Sequence, residues 1–146
     1  MAHFRRILVP VDFSKHADAA LDLAIELAKE SGAEIHLVHA YELPSSVTLA
    51  YGVAIPQSVW DGVQEAATAK LNEALARTKA AGVVGTTHLL TAPAADAIAE
   101  TAAAHAVDLI VMGTRGRSGI TRMFLGSVAE RVLRRALQPV FVTQPG

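Results

Sequence analysis

Two kinds of hydrophobic pattern alternate along the chain. Short apolar runs rich in branched residues, typical of buried strands, occur at 4–10, 34–40, 85–91, 108–112 and 139–143. The segments between them repeat apolar residues every three or four positions, which predicts helices over about 17–28, 58–81, 94–106 and 127–137. This alternation of strands and helices favours a single doubly wound parallel α/β sheet with helices on both faces. Residues 1–146 are therefore expected to form one domain.

Local signals mark the ends of these elements. Ser14 offers a side-chain N-cap for the first helix, and Ser31-Gly32 is expected to end it. Residues 41–57 show no clear period and contain two prolines and a glycine, which predicts a long loop before the second helix. The residues of that helix expected to face the core are Val59, Val63, Ala66, Ala67, Leu71 and Ala74.

Composition narrows the class of protein. The 146 residues are 51% apolar and 18% charged, as in an ordinary globular protein. The chain has no cysteine, so it forms neither disulfides nor a thiolate metal site. It shows no signal-peptide pattern, and no apolar stretch approaches the roughly 18 residues that span a membrane. We therefore expect a cytoplasmic protein with neither a membrane nor a nucleic acid as its partner.

Charge is distributed unevenly. Six arginines and one acid lie in 113–146, so this segment carries +5 and the rest of the chain carries −6, for a net charge of −1. Two interpretations stay open. The segment faces an anion, or its arginines form a solvated basic helix face.

The segment from Gly113 to Ser127 combines the features of a phosphate site. Gly113 directly follows a predicted buried strand, at the edge where open α/β sheets bind ligands. Gly116 and Gly119 let the loop backbone turn tightly or approach a ligand closely. Gly126 and Ser127 then open a helix, whose first N–H groups are unpaired and whose N-terminal dipole is positive. The nearby arginines at 115, 117 and 122 add charge that matches phosphate geometry.

Other interpretations of this segment compete with a phosphate site. Its glycines could be ordinary turn residues, and Ser127 with Glu130 fits a capping box that needs no ligand. The P-loop pattern G-x-x-x-x-G-K-[ST] is absent, and the glycines follow the fourth strand instead of the first, which excludes the dinucleotide fingerprint. Neither H-E-x-x-H nor G-x-S-x-G occurs.

Two distant segments resemble the universal stress protein family. The spacing Gly113-x2-Gly116-x9-Gly126-Ser127 is similar to the family's ATP-binding signature, and residues 7–14 (ILVPVDFS) are similar to its first strand and turn. Residues 37–40 and 138–142 resemble its second and last strands. The resemblance covers nearly the whole chain and implies the strand order 3-2-1-4-5.

The resemblance also implies an ATP site, with Mg²⁺, at the carboxyl ends of the first and fourth strands. Asp12 is implied near the ribose or the metal, and the Ala40 backbone at the adenine edge. The residues implied beside the adenosine are Pro10, Val11, Asp12, Ala40, Met112 and Gly113. Those implied at the phosphates are Gly116, Gly126, Ser127 and Val128. Arg115 and Arg117 join this set by electrostatic inference alone.

Three functions stay open at this stage. The first is a regulatory ATP-binding protein that acts in stress adaptation through an unidentified protein partner. The second is a slow ATPase, for which the sequence offers phosphate-stabilising groups but no clear residue that would activate water. No second acid or nucleophile lies near Asp12 in the motif, so a binding role is favoured. The third is a dimeric scaffold that binds no nucleotide, although family members of that type lack the glycine spacing that is intact here.

Two further groups of residues bear on oligomeric state and on metal binding. The last strand is predicted at a sheet edge, which invites pairing with a second copy, and the resemblance likewise implies a homodimer through Val140–Val142. The six histidines show no i,i+4 pair on a predicted helix, and His36 and His39 point to opposite faces of a strand. A histidine metal site is therefore not expected.

Overall fold

Five parallel strands form one sheet in the order β3-β2-β1-β4-β5. The computed structural model describes residues 3–42, 52, 55–114 and 126–144. The predicted doubly wound sheet and the implied strand order are confirmed. The strands are β1 (Arg6–Pro10), β2 (Glu34–Tyr41), β3 (Gly85–Thr91), β4 (Leu109–Gly113) and β5 (Val140–Thr143). The helices are α1 (Lys15–Ser31), α2 (Gln57–Ala80), α3 (Ala94–Ala104) and α4 (Ser127–Arg135).

Each face of the sheet has its own apolar core. Helices α1 and α2 cover one face, where Ile7, Val9 and Leu37 are fully buried. Helices α3 and α4 cover the other face, where Leu8 and Ile110 are fully buried. Because helices cover both faces, consecutive positions of a strand are apolar, which explains the unbroken runs seen in the sequence.

Capping residues fix both ends of α1. The Ala17 N–H donates a hydrogen bond to Ser14 Oγ at 3.2 Å, so Ser14 is the predicted N-cap. At the other end, Gly32 has φ +74° and its N–H donates to the Ala28 carbonyl at 2.8 Å. A left-handed residue that closes a helix in this way is typically glycine. Because Ser14 is the N-cap, α1 begins a few residues after the carboxyl end of β1.

The first half of α2 does not pack as the sequence predicts. Val59 and Val63 are 49% and 40% exposed, and Ala66 is also exposed, so the expectation that they face the core is wrong. Ala67 and Leu71 are buried. With 24 residues, α2 is about 36 Å long, whereas the eight residues of β2 span only about 26 Å. The first turns of α2 therefore extend beyond the sheet that would cover them.

The pairing of β1 with β4 is short. Their register is limited to Ile7 opposite Leu109 and Leu8 opposite Ile110. The pairing of β1 with β2, in contrast, runs along all of β1. At the amino end of β1, the Asp108 carboxylate accepts hydrogen bonds from the backbone N–H groups of residues 5 and 6, at 2.9 and 3.2 Å. Beyond Leu8 and Ile110 the two strands are no longer paired, and a crevice opens between them.

None of the helices within the described ranges has the length and apolar character needed to traverse a bilayer.

Candidate functional site

A cleft of about 610 Å³, its open mouth included, lies beyond the carboxyl ends of β1 and β4. The strand order reverses direction at this point, which is where open α/β sheets bind ligands. The sequence-predicted residues that line the cleft are Pro10, Val11, Asp12, Ala40, Met112, Gly113, Gly126 and Val128.

The other predicted site residues have different outcomes. Ser127 is the first residue of α4 but is not among the residues that line the cleft. Arg115, Gly116 and Arg117 lie outside the described residues, as does most of the predicted loop over 41–57. Any ligand contacts of these residues therefore stay predictions.

Asp12 lies in the turn between β1 and α1, where Ser14 holds one of its two carboxylate oxygens. Its Oδ1 accepts hydrogen bonds from Ser14 N at 3.0 Å and from Ser14 Oγ. Ser14 is also the N-cap of α1, so the cap holds Asp12 in place. Among the described residues, nothing donates a hydrogen bond to the second oxygen, Oδ2. The turn thus fixes the carboxylate through one oxygen and leaves the other available.

The residue after Asp12 has an unusual backbone conformation. Phe13 has φ +66°, a region that bulky residues rarely occupy. Its ring packs against the His39 ring at a centroid distance of 4.6 Å. Strain of this kind costs on the order of 1–3 kcal/mol and is concentrated at ligand sites. The contact with His39 is one of the interactions that hold the strained turn beside the cleft.

The backbone of Ala40 faces the cleft because β2 extends beyond β1. The ladder between the two strands ends where Val11 N–H donates to the Val38 carbonyl at 2.8 Å. Backbone groups of alternate residues point to the same side of a strand, so Ala40 N–H and C=O face the space beyond β1. The next acceptor in line, the Val11 carbonyl, instead accepts a hydrogen bond from His39 Nδ1 at 2.7 Å. Within the described ranges, Ala40 therefore offers an adjacent donor and acceptor with no β1 partner.

The amino end of α4 closes the other side of the cleft. Gly126 is its N-cap, with φ −66° and ψ 159°, and no described side chain caps the first turn. The capping-box interpretation of Ser127 is therefore wrong. The first N–H groups of a helix have no partner within the helix, and here they include that of Val128, which lines the cleft. Gly126 N–H is already used, because it donates to the Thr114 carbonyl at 2.6 Å and ties α4 to the end of β4.

Thr114 is a cleft residue that the sequence analysis did not identify. It is 4% exposed, and its Oγ1 has no hydrogen-bond partner in the part of the chain that the structure describes. Buried hydroxyl groups nearly always bond to protein, water or a ligand, since leaving one unsatisfied costs about 1–3 kcal/mol. The available signal was its position directly after a buried strand and Gly113. This hydroxyl is a candidate ligand contact.

The close approach of α1 explains why residue 113 is glycine. A Cβ at Gly113 would lie 2.6 Å from the His16 Cβ and 2.9 Å from the His16 backbone carbon. Real Cβ atoms do not approach other atoms so closely, so a larger residue would push α1 away from β4. Gly113 therefore serves packing at the cleft, whether or not it also contacts a ligand.

The fold and the cleft define a doubly wound α/β protein with an open cleft at its topological switch point. The model of the Universal stress protein family matches residues 3–144, and the chain belongs to that family. A universal stress protein of Methanocaldococcus jannaschii is 34% identical over 145 residues, which cover 97% of this chain and 82% of that protein.

Two similar solved structures contain nucleotides. One is a universal stress protein in complex with cAMP, with a TM-score of 0.70, 27% identity and coverage of 99% of this chain and 100% of the other. The second is the universal stress protein from Archaeoglobus fulgidus in complex with dAMP, with a TM-score of 0.66, 26% identity and coverage of 97% and 98%. Both bound ligands are adenine nucleotides.

Proposed function

We propose that this protein binds ATP in the cleft between β1 and β4 and acts as a regulatory protein in stress adaptation. The observation that carries the proposal is the pair of recognition elements in one cleft. Ala40 offers an adjacent backbone donor and acceptor, which suit the N6 and N1 edge of adenine. The first turn of α4 offers free N–H groups and a positive dipole, which suit phosphates. A ligand with a base at one end and phosphates at the other fits both.

The relatives support the choice of an adenine nucleotide. The cAMP and dAMP complexes are of proteins similar to this chain over nearly its whole length. The proposal of ATP, as opposed to a monophosphate, rests on the glycine spacing Gly113-x2-Gly116-x9-Gly126-Ser127 and on the positive charge of residues 113–146. Bound ATP would then shift the population of conformations or oligomers that a protein partner recognises.

Asp12 is the residue that we propose to hold Mg²⁺ together with the phosphates. Mg²⁺ in nucleotide sites usually takes one or two carboxylates, phosphate oxygens and waters. The Oδ2 of Asp12 accepts no hydrogen bond from the described residues and fits this requirement, because Ser14 holds the carboxylate only through Oδ1. The ion would supply positive charge to the phosphates. Among the described cleft residues Asp12 is the sole carboxylate, so binding is favoured over ATP hydrolysis.

We also propose that a second copy of this chain pairs with β5. This strand lies at the edge of the sheet, and an unprotected edge favours pairing. Phe141 is 48% exposed on β5, and Leu137, just before the strand, is 97% exposed. Sedimentation should therefore give a dimer for the native protein and a monomer for Phe141→Glu. A native monomer would contradict the pairing and leave the ATP proposal untouched.

The nucleotide is tested first on the protein as purified. Denaturing mass spectrometry should detect co-purified adenine nucleotide. After its removal, Mg-ATP at 100 times the dissociation constant should stabilise the fold by about 2.7 kcal/mol, a rise of roughly 5–10 °C in Tm. No rise at millimolar Mg-ATP would leave the nucleotide-free scaffold as the better interpretation.

A matched pair of glycine substitutions tests whether the phosphates bind at α4. Gly126→Ala adds a methyl group at the start of α4, at a φ that alanine readily adopts. It should weaken ATP binding at least roughly tenfold without unfolding the protein. Gly62→Ala adds the same group on α2, where nothing lies within 4 Å, and should leave ATP affinity unchanged. Equal affinity in the two variants would refute the placement of phosphates at α4.

A further inference from the structure

Three histidine side chains meet near the β3 edge of the sheet, on the face covered by α3. These residues, His36, His88 and His105, are named here the histidine cluster. One ligand nitrogen from each lies within 4.8 Å of the other two. The ring centroids are 5.2 Å apart for His36 and His88, 5.2 Å for His36 and His105, and 4.3 Å for His88 and His105. The three rings therefore pack against one another.

Strand register and helix length bring the cluster together. His88 on β3 lies opposite Val38 on β2, and His36 is two residues before Val38 on the same face. Helix α3 runs back across that face and ends at Ala104, so its C-cap residue is His105. Each member thus comes from a different regular element, and the fold fixes their separation.

A carboxylate determines which nitrogen of His36 faces the cluster. His36 Nε2 lies 2.9 Å from Glu34 Oε1, and a carboxylate accepts, so Nε2 carries the proton. The other ring nitrogen of His36, Nδ1, lies 2.9 Å from His88 Nε2 and carries the lone pair in the neutral imidazole. The hydrogen bond from His36 and the charge of Arg6, whose Nε is 3.4 Å from Glu34 Oε1, keep the pKa of Glu34 below its usual value. Histidines that bind metals usually donate their other N–H to such an outer carboxylate.

Solvent reaches the histidine cluster from one side. His36 is 6% exposed, whereas solvent reaches His105. The cluster therefore has a buried floor and an open side through which an ion and a water ligand can enter.

We propose that the histidine cluster is a binding site for a divalent transition-metal ion, with Zn²⁺ as its representative. Three imidazoles and one water complete the tetrahedral shell that Zn²⁺ prefers, with Zn–N distances of about 2.0–2.1 Å. Two ligands in such a shell are about 3.3 Å apart. The 2.9 Å separation of His36 Nδ1 and His88 Nε2 would therefore widen by only a few tenths of an ångström. Oxygen-preferring ions such as Mg²⁺ are not suited to this set.

The metal site is independent of the nucleotide proposal. His36 and Ala40 are four residues apart on β2, which separates their Cα atoms by roughly 13 Å. No member of the cluster lines the cleft. Failure of ATP binding would therefore leave the metal proposal intact, and failure of metal binding would leave the ATP proposal intact.

The test uses the full chain without a polyhistidine tag, treated with a chelator and free of nucleotide. Calorimetric titration with ZnCl₂ should give one ion per chain, and Zn²⁺ should raise Tm. Co²⁺ should give the intense visible absorption of a tetrahedral site. His105→Ala and His88→Gln should each weaken Zn²⁺ binding at least a hundredfold. Loss of a residue that only hydrogen-bonds to a ligand costs up to roughly a hundredfold, and loss of a ligand itself should cost no less. Glu34→Gln removes the carboxylate that orients His36 and should weaken Zn²⁺ binding about 10–100-fold.

Two controls keep the result interpretable. His3→Ala removes an exposed histidine outside the cluster and should bind Zn²⁺ as the native protein does. Melting each variant without metal shows whether it is folded, and His105→Ala, at the solvent side, tests the site if His88→Gln unfolds. The proposal is overturned if the native chain binds no stoichiometric Zn²⁺ at micromolar concentration. It is also overturned if the double variant His88→Gln/His105→Ala binds as the native chain does.

Discussion

The cleft and the histidine cluster are built from different parts of the chain. At the cleft, the groups offered to a ligand are mainly backbone N–H and C=O groups, at Ala40 and in the first turn of α4. At the cluster, every group is a side-chain nitrogen. A backbone site is therefore disrupted by adding atoms, whereas a side-chain site is disrupted by removing them. The two sites should respond to opposite kinds of substitution.

The largest expected effect comes from adding atoms at Gly113. Gly113→Ala would bring a Cβ within 2.9 Å of the His16 backbone, and overpacking of this kind costs about 1–3 kcal/mol or more. The displacement of α1 from β4 should also weaken ATP binding, whereas the Zn²⁺ affinity of the folded fraction should stay unchanged. Urea unfolding and ligand titrations measure these effects. Native stability in this variant would show that α1 does not approach β4 as closely as described.

A smaller effect is expected when one cleft side chain is trimmed. Thr114→Val removes the buried hydroxyl, which has no partner among the described residues, but keeps the shape of the side chain. A hydrogen bond to a charged group contributes about 1.5–3 kcal/mol, so ATP affinity should fall roughly tenfold to hundredfold. Thermal stability without ATP should stay the same or rise, because no described bond is lost.

The control for that variant is another buried threonine, remote from the cleft. Thr78 is fully buried on α2, and its Oγ1 donates to the Ala74 carbonyl at 3.0 Å. Thr78→Val should leave ATP affinity unchanged. Destabilisation of Thr114→Val by more than that of Thr78→Val would mean that the Thr114 hydroxyl has a structural partner instead of a ligand.

The smallest effect is expected far from both sites. Gly62 lies within α2, and nothing would meet a Cβ within 4 Å. Gly62→Ala should raise the free energy of unfolding by about 0.5–1 kcal/mol through helix propensity. Neither ATP nor Zn²⁺ affinity should change. A change in either would show that α2 is coupled to a site it does not line.

The cleft could be anticipated from sequence because most of its parts mark the end of a strand or the start of a helix, and because the resemblance to the universal stress protein family implied how these parts meet. Asp12 follows β1 directly, and Gly126 opens α4, so strand ends and helix starts were readable from local patterns. Two finer features of the cleft depend on the three-dimensional structure. The N-cap is Gly126 and not Ser127, since the extended angles of Gly126 place it just outside the helix. The backbone offered at Ala40 depends on where β1 stops.

The histidine cluster could not be anticipated in the same way. His36 and His88 are 52 positions apart, and their contact depends on the register of β2 with β3. A search for i,i+4 pairs on one helix cannot find ligands on three elements. The sole clue was that both residues lie on strands that the implied order makes neighbours. The packing of α2 was missed for a related reason, because periodicity gives the inward side of a helix but not the extent of the sheet beneath it.

The short pairing of β1 with β4 has a kinetic consequence. It joins residues about a hundred positions apart, whereas β1 with β2 and β4 with β5 pair segments that are closer in sequence. Closing the longest loop is slowest, so the halves 3–91 and 94–144 are expected to form before they dock at Leu8 and Ile110. A nucleotide held by Asp12 and α4 would bridge the two halves and oppose their separation.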